Sequence, residues 1–379
     1  MVVSRAPVDL RQWGAWQFPG IQRLPDGRLA VGYHVQADSA TAYGMLPGVA
    51  VSEDEGRSWR PADPRDEAPT WAAKIVRLPN GDLLRQVQRR SVDPETVRDR
   101  LPQPIGETLG GYGNPMVVFA ADSLPADLDG YRFARLSAGG DAWIEEQAEV
   151  RVPGAVRAIY MGVLTFPWMQ RIAVAPDGSL WGINHGKRLV DGRAQERHGA
   201  MFVRSTDGGW TWDLLGEIPY QPDPDADPHA AERDGFTEPN VAFLPDGTAL
   251  CLLRTTDAHG AGPLYAARSA DGGATWTRPE VFDDLGVWPA LATLPGGVTL
   301  AAYGRPGLFL RATADRSGRI WSDRVPVIEA AAQQADTCAY SDLLVVGERQ
   351  ALLAYSHFTW PDEQGRPRKT ILVRRVSTE

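Results

Sequence analysis

Residues 239–253 read PNVAFLPDGTALCLL, two apolar runs joined by the turn Pro245-Asp246-Gly247. An Asp-Gly pair between β-patterned flanks is a strong hairpin signal, because both residues tolerate the positive φ angles that tight turns need. The pattern recurs as FPGIQRLPDGRLAVGY (18–33), AKIVRLPNGDLLRQV (73–87), RIAVAPDGSLWGI (171–183), PALATLPGGVTLAAY (289–303) and, more weakly, YSDLLVVGERQALLAYS (340–356). Each copy predicts two antiparallel strands, so the chain is expected to be an all-β repeat protein.

A second motif, Ser-x-Asp-x-Gly-x-Ser/Thr-Trp, follows three of these hairpins. It covers residues 52–59, 205–212 and 269–276, with a degenerate copy at 313–321. Its Ser and Asp side chains suit bonds to the turn backbone, its Gly suits strained backbone angles, and its Trp suits packing between strands. The motif therefore predicts a staple of the fold, and we expect no catalytic role for its aspartates.

Six hairpins in 379 residues predict a six-bladed β-propeller with four antiparallel strands in each blade, formed as a single domain over residues 1–379. The interval from Gly81 to Gly178 is wider than one blade, but it shows no further hairpin signature. We therefore expect long loops around residues 106–115 and 152–164 instead of a seventh blade. The N-terminal residues 2–10 are expected to supply the outer strand of the last blade and so to close the ring.

The hairpins also locate a candidate site. If the turns share one face, residues about seven positions before and after each turn gather around the axis on the opposite face, where propellers bind ligands. Most of these positions hold charged, imidazole or aromatic side chains. They are Trp16, Gln17 and His34, then Trp71, Lys74, Gln88 and Arg89, then Gln170, Arg171 and His185, then Glu238, Asn240 and Arg254, then Trp288 and Arg305, then Tyr340 and His357. Tryptophans at the starts of inner strands, Trp168 included, are expected to stack on sugar faces.

The hairpins and the second motif, which is an Asp-box, resemble those of sialidase-like (BNR repeat) six-bladed propellers along the whole chain. The similarity reaches single residues in the last three blades. Glu238 and Arg254 are similar to the sialidase catalytic glutamate and an arginine of its carboxylate-binding triad, Arg305 to a further triad arginine, and Tyr340 to the nucleophilic tyrosine. The resemblance implies an exo-acting glycoside hydrolase in which Glu238 takes the proton of Tyr340. The two arginines would then hold a substrate carboxylate.

The chain also departs from the sialidase pattern. Gln17 stands where sialidases have the first triad arginine, and Asp38 is the only carboxylate in the loop 34–44 that would carry the acid catalyst. Three histidines outside the pattern are candidates for substrate binding or for acid–base chemistry near neutral pH. The candidate catalytic residues are Tyr340, Glu238, Asp38, His34 and His185, and the candidate substrate-binding residues are Arg254, Arg305, Gln17, Arg171, Trp71, Trp168, Trp288 and His357.

These departures leave several functions open. The expected function is hydrolysis of an acidic sugar of sialic or uronic type. The alternatives are a lyase or a histidine-dependent glycosidase on the same fold, and a non-catalytic carbohydrate-binding propeller, because a fold alone does not fix function.

Composition and residue spacing limit the classes of ligand and partner that the chain is expected to bind. A net charge of -9 argues against a nucleic-acid surface, and no spacing of the histidines indicates a metal site, so we expect a small carbohydrate as the ligand and no cofactor. Cys251 and Cys338 lie in apolar stretches and are expected to be small core residues. The sequence shows neither a signal peptide nor a membrane span, so a cytoplasmic location is expected, although an exported form that has lost its leader would read the same. It does not indicate the oligomeric state.

Overall fold

Strands make up most of the regular structure in the computed structural model, which describes residues 1–67, 74–109, 115–255, 260–330 and 336–378. The described helices are short: α1 (Pro64–Glu67) and 3₁₀ helices at Ala40–Ala42, Pro94–Arg100 and Ala121–Ser123. None of them is long and apolar enough to cross a membrane.

The chain starts with one strand that precedes the first complete sheet. That strand is β1 (Val2–Arg5). The strands that follow it are β2 (Gln17–Arg23), β3 (Leu29–His34), β4 (Gly48–Ser52) and β5 (Arg60–Ala62). The last four pair as consecutive antiparallel neighbours and form blade 1.

Blades 2 and 3 share one eight-stranded sheet. The strands in this part of the chain are β6 (Val76–Arg77), β7 (Leu83–Gln86), β8 (Gly106–Leu109), β9 (Pro115–Ala120), β10 (Tyr131–Leu136), β11 (Ile144–Arg151), β12 (Val156–Tyr160), β13 (Val163–Leu164), β14 (Arg171–Val174), β15 (Leu180–Gly186), β16 (Leu189–Val190), β17 (Arg193–Ala194), β18 (Gly199–Ser205) and β19 (Thr211–Ile218). Blade 2 is β6-β7-β10-β11 and blade 3 is β14-β15-β18-β19, joined where β11 and β19 pair in parallel.

An additional four-stranded sheet lies outside the blades. It consists of β8, β9, β12 and β13, in the order β13-β12-β9-β8. The two long loops predicted here are therefore wrong in part, because both contain paired strands. β8 pairs with β9 and β12 with β13, but the pairing of β9 with β12 crosses blade 2, and no local turn signature marks that long-range pairing.

The last three blades are regular. Their strands are β20 (Phe236–Phe243), β21 (Ala249–Thr255), β22 (Leu264–Ser269), β23 (Glu280–Asp283), β24 (Val287–Thr293), β25 (Thr299–Gly304), β26 (Leu308–Thr313), β27 (Val325–Ile328), β28 (Ser341–Gly347), β29 (Gln350–Pro361) and β30 (Pro367–Ser377). Blade 4 is β20 to β23 and blade 5 is β24 to β27. Blade 6 is β28 to β30, with β1 paired on its outer edge.

The inner strands pack against one another around a central axis. β2 contacts β28, β28 contacts β24, β24 contacts β20, and β20 contacts blade 3 through β15. The Ile75 amide donates to Gln22 Oε1 over 2.9 Å and links blade 2 to blade 1. The predicted all-β, propeller-like fold is thus confirmed.

Aromatic side chains fill the spaces between blades. Trp181 of blade 3 meets Phe243 of blade 4 edge-on, with ring centroids 5.0 Å apart, and Phe202 stacks on Trp276 at 4.6 Å. Because each such ring buries a large apolar area, the core of this fold is a set of layers between neighbouring sheets.

The Asp-box of blade 3 shows why this motif staples the fold. Ser205 Oγ donates to Asp207 Oδ1 over 2.8 Å, and the same oxygen accepts from the Trp210 and Thr211 amides at 3.0 Å. Trp212 is fully buried and stacks on Phe133 of blade 2, with centroids 5.7 Å apart and planes at 12°. The aspartate therefore orders a turn that carries a residue bridging two blades.

Replacing Asp207 with Ala removes the acceptor for these turn donors. We expect the free energy of unfolding to fall by about 1 kcal/mol, as for loss of a capping side chain, measured by urea denaturation. Asp213→Ala is the control, because Asp213 is 65% exposed on the following strand. An equal loss in both variants would contradict the staple role.

Candidate active site

Three inner strands carry the same bulge, and each bulge turns one side chain toward the axis. Pairing shifts between Gln17 and Gly20, between Thr237 and Asn240, and between Val287 and Ala290. The residue that precedes proline in each bulge has a positive φ: 52° at Phe18, 48° at Glu238 and 42° at Trp288. Non-glycine residues in this region are strained, and such strain concentrates at functional sites.

The three bulge residues open onto one cavity of about 850 Å³ at the axis. Side chains from all six blades line it, with Tyr131 and Val150 from blade 2. They include Phe18, His34, Asp38, Gln170, His185, Glu238, Arg254, Trp288, Arg305 and Tyr340. The structure thus brings together most of the polar residues that the hairpin positions predicted.

Tyr340, Glu238 and Arg254 form a hydrogen-bonded group in the cavity. The Tyr340 hydroxyl donates to Glu238 Oε1. Arg254 Nη1 lies 2.5 Å from that carboxylate oxygen and 3.0 Å from the tyrosine oxygen. Arg254 is only 2% exposed, and the Trp288 amide donates to Glu238 Oε2 over 3.0 Å. A phenol beside a fixed carboxylate and a buried cation is an arrangement that can lose its proton during a reaction.

Aromatic rings hold Tyr340 in place. Trp288 stacks on it with centroids 4.7 Å apart and planes at 17°, and Phe18 meets it edge-on at 4.7 Å. The Arg305 guanidinium lies over the rings of Tyr340 and Trp13 at 5.6 and 5.5 Å, and its Nη2 donates to the Cys338 carbonyl over 2.9 Å. Arg305 therefore reaches the cavity beside the tyrosine.

Asp342 of blade 6 binds groups from three other blades. Its carboxylate accepts from the Ile21 amide at 2.8 Å and from Lys74 Nζ at 2.5 Å. Arg171 Nη1 lies 3.8 Å from it, and the Arg171 guanidinium lies 5.1 Å from the centre of the Trp288 ring. Arg171, predicted to bind substrate, is therefore outside the cavity lining and supports the ring that stacks on Tyr340. Our reading of the sequence missed Asp342, although it stands only two residues after the tyrosine.

His185 is linked to Glu238 through the backbone. The Glu238 amide donates to His185 Nδ1 over 3.3 Å, and Gln170 Oε1 lies 3.0 Å from the same nitrogen. Burial, and to a lesser extent Arg254, lowers the pKa of His185 to about 4. The imidazole is therefore neutral at neutral pH, which suits a hydrogen-bonding role better than a basic one.

The other two predicted histidines have different positions. His34 lines the cavity, lies 3.3 Å from the Gly14 carbonyl through Nδ1, and has a pKa lowered by burial. His357 is not among the cavity-lining residues; its Nδ1 accepts from the Thr359 amide at 3.2 Å. Asp38 is exposed at the cavity, where Trp13 Nε1 donates to its Oδ2 over 3.0 Å.

The bulge in β2 explains why counting residues back from the hairpin turn wrongly placed the Gln17 side chain at the axis. Gln17 is 0% exposed and does not line the cavity, because the extra residue in the strand presents Phe18 instead. Trp168 lines the cavity and meets Tyr43 edge-on at 6.5 Å. Trp71 lies outside the described residues.

Neither a metal site nor a reactive thiol is evident in the described ranges. No group of three His, Cys, Asp or Glu side chains there is placed to hold a metal ion. Cys251 and Cys338 are both buried, and burial raises the pKa of each thiol, as expected for core residues.

Comparisons with known proteins agree with this fold. A protein of unknown function from Dyadobacter fermentans matches with a TM-score of 0.67 and 16% identity over 100% of this chain and 98% of its own. A Hadza microbial sialidase matches at 0.55 and 16% over 95% of this chain and 65% of that one, and a Penicillium chrysogenum alpha-L-arabinanase complexed with arabinobiose at 0.53 and 14% over 98% and 97%. At these identities the likeness establishes the fold alone.

Sequence comparison supplies the family. No curated protein sequence matches the chain. The BNR repeat-like domain family matches residues 137–352, more than half of the 379 residues. The chain therefore belongs to the BNR repeat-like domain family.

Proposed function

We propose that this protein is a glycoside hydrolase that removes a terminal acidic sugar, with Tyr340 as the nucleophile. The observation that carries the proposal is the contact of the Tyr340 hydroxyl with Glu238, with Arg254 Nη1 3.0 Å from the same tyrosine oxygen. Glycoside hydrolases such as the Hadza sialidase and the Penicillium arabinanase share the fold. The fold by itself leaves the function open, so the proposal depends on this site.

In the first step, the Tyr340 oxygen attacks the anomeric carbon and its proton passes to Glu238. The bond from the anomeric carbon to the leaving oxygen breaks, and Asp38 gives that oxygen a proton. Arg254 stabilises the negative charge that develops on the phenolic oxygen. The product is a glycosyl–tyrosine and a released alcohol.

In the second step, water attacks the same carbon and gives its proton to Asp38. The tyrosine leaves and recovers its proton from Glu238, so the protein returns to its starting state. Because each of the two substitutions inverts the anomeric carbon, the sugar keeps its anomeric configuration overall.

The preference for an acidic sugar follows from charge. A carboxylate nucleophile would repel a substrate carboxylate held nearby, whereas a phenol does not. Arg305 lines the cavity beside the Tyr340 ring and offers a planar donor that fits a carboxylate. Arg254, whose Nη1 lies 3.0 Å from the Tyr340 oxygen, adds a second positive charge beside the tyrosine.

A histidine-centred hydrolase or lyase is less well supported. A pKa of about 4 makes His185 a weak base near neutral pH, and its Nδ1 already accepts from the Glu238 amide.

A substrate screen tests the proposal. Aryl glycosides of sialic, uronic and neutral sugars would be assayed for released phenol, with absorbance of unsaturated product recorded in parallel. We expect phenol release from an acidic glycoside. Unsaturated product would identify a lyase, and saturable binding without turnover would identify a carbohydrate-binding protein; either result contradicts the proposal.

Replacing Arg305 with Ala tests the acidic substrate separately. Loss of a charged hydrogen bond should weaken binding of a carboxylate-bearing sugar by about 1.5–3 kcal/mol. Binding of the matching sugar methyl ester should change little, measured by calorimetry. Arg311→Ala is the control, because Arg311 on blade 5 contacts Asp283 and Phe282 on blade 4 and does not line the cavity. Equal loss for the acid and the ester would contradict a carboxylate site.

A further inference from the structure

The additional sheet presents mostly apolar side chains to the cavity, and its charged lining residues are Glu107 of β8 and Arg157 of β12. Side chains alternate between the two faces of a strand, and the apolar residues of β9 and β12 that line the cavity follow that alternation. Met116 and Val118 of β9 line it, as do Ala158 and Tyr160 of β12, whereas Phe119 is buried away from it. Met116 pairs directly with Tyr160, and Val118 with Ala158. The lining residues therefore form a continuous patch, which we call the apolar wall.

This wall belongs to the same cavity as the catalytic group. The cavity that contains Tyr340 and Glu238 extends without a break to Met116 and Tyr160. The additional sheet is not needed to complete any blade, since each blade already has four strands. The additional sheet therefore contributes to the cavity and not to the ring of blades.

Two arginines that line the cavity near the wall are held in ion pairs. Arg157 Nε lies 2.5 Å from Asp129 Oδ1, and Arg188 makes two bonds to Glu217 at 2.6 and 2.7 Å. Side chains engaged in this way have fewer donors to offer to a ligand. The wall is thus suited to a ligand group with few hydroxyls, because burying a hydroxyl without a partner costs free energy.

We infer that the apolar wall is the subsite for the leaving group, and that the substrate is a glycoside of an apolar alcohol. This inference rests on the proposed function, in which the sugar ring lies against Tyr340 and the alcohol leaves along the cavity. Met116 and Tyr160 would contact the alkyl or aryl part of that alcohol, with Val118 and Ala158 beside them. A second sugar would bury hydroxyls against this wall.

Alkyl glycosides test the subsite without changing the reactivity of the leaving group greatly. Methyl and n-hexyl glycosides of sialic acid and of glucuronic acid would be compared, together with disaccharides of the same terminal sugars. We expect the n-hexyl glycoside of the accepted sugar to have at least about a tenfold higher kcat/KM than the methyl glycoside, from the apolar area that its chain buries. The disaccharide should not exceed the methyl glycoside.

A variant of the wall locates the effect. Met116→Gln keeps the length of the side chain but adds an amide, so it should lower the ratio of the n-hexyl to the methyl kcat/KM several-fold. Val174→Gln is the matched control, since Val174 is 38% exposed and does not line the cavity. Calorimetric binding of the same two glycosides to Tyr340→Phe should show the same preference.

The outcomes separate the two proposals. Turnover with equal kcat/KM for the methyl and n-hexyl glycosides, or with a preference for the disaccharide, would overturn the apolar subsite and leave the hydrolase standing. A preference that Met116→Gln leaves intact would overturn this location of the subsite. Absence of turnover on every glycoside would overturn the proposed function, and the subsite with it.

Discussion

Tyr340→Phe is expected to lower kcat by at least about a thousandfold, because removal of a nucleophile abolishes the covalent step. The hydroxyl contacts Glu238 and Arg254, while the ring packs against Trp288 and Phe18. The phenylalanine ring keeps these packing contacts, so affinity for a bound sugar should change little. Steady-state kinetics and calorimetric binding of the same glycoside measure the two effects.

Glu238→Gln extends this prediction, because the glutamate and the tyrosine act as one unit. It should lower kcat to a similar degree, and the double variant should be little worse than either single one. Tyr33→Phe is the control, since its hydroxyl donates to Ser4 Oγ away from the cavity. If Tyr340→Phe kept near-normal activity while His34→Ala or His185→Ala abolished it, a histidine-centred mechanism would replace this one.

Asp342→Ala is expected to produce the largest loss of stability. The carboxylate is 3% exposed and serves the Ile21 amide, Lys74 and Arg171. Removing one partner of a buried ion pair typically costs about 3–5 kcal/mol. Lys74 keeps 33% of its side chain exposed and can rehydrate in part, so we expect about 2–4 kcal/mol from urea denaturation.

A surface pair provides the control for that measurement. Glu53 and Arg60 lie 2.6 Å apart with 62% and 56% of their side chains exposed. Glu53→Gln should therefore change the free energy of unfolding by less than about 1 kcal/mol. A loss for Asp342→Ala as small as that for Glu53→Gln would show that the axial network contributes little.

Local sequence signals predicted the strands well because a hairpin turn depends on a few adjacent residues. Gly247 has a φ of 90° in the Asp-Gly turn between β20 and β21, as the motif requires. The role of the Asp-box aspartates as turn acceptors was predicted equally well from the sequence. Hydrogen bonds from the Thr275 side chain and amide lower the pKa of Asp271 to about 2, which agrees with a turn acceptor.

The site was harder to predict wherever it depends on strand register. Counting residues from the turn placed Gln17 at the axis, but a bulge after Gln17 shifts the count by one and presents Phe18. Bulges of the same kind in β20 and β24 present Glu238 and Trp288, which the count did include. A one-residue shift exchanges the faces of a strand, and no local residue type marks it unambiguously.

Long-range pairing accounts for the rest of what was missed. β9 and β12 pair although all of β10 and β11 lies between them in the chain. Asp342 likewise meets groups from three other blades. Such contacts follow from how the sheets close around the axis, which single-strand patterns do not encode.

Identification of the residue that becomes covalently attached to the sugar tests the central claim most directly. A 2-fluoro or 3-fluoro analogue of the accepted glycoside with a good leaving group would be incubated with the protein, followed by digestion and peptide mass spectrometry. The account predicts one added sugar on the peptide containing Tyr340, located on that residue and absent from Tyr340→Phe. Attachment to Glu238 or to any other residue, with Tyr340 unmodified, would contradict it.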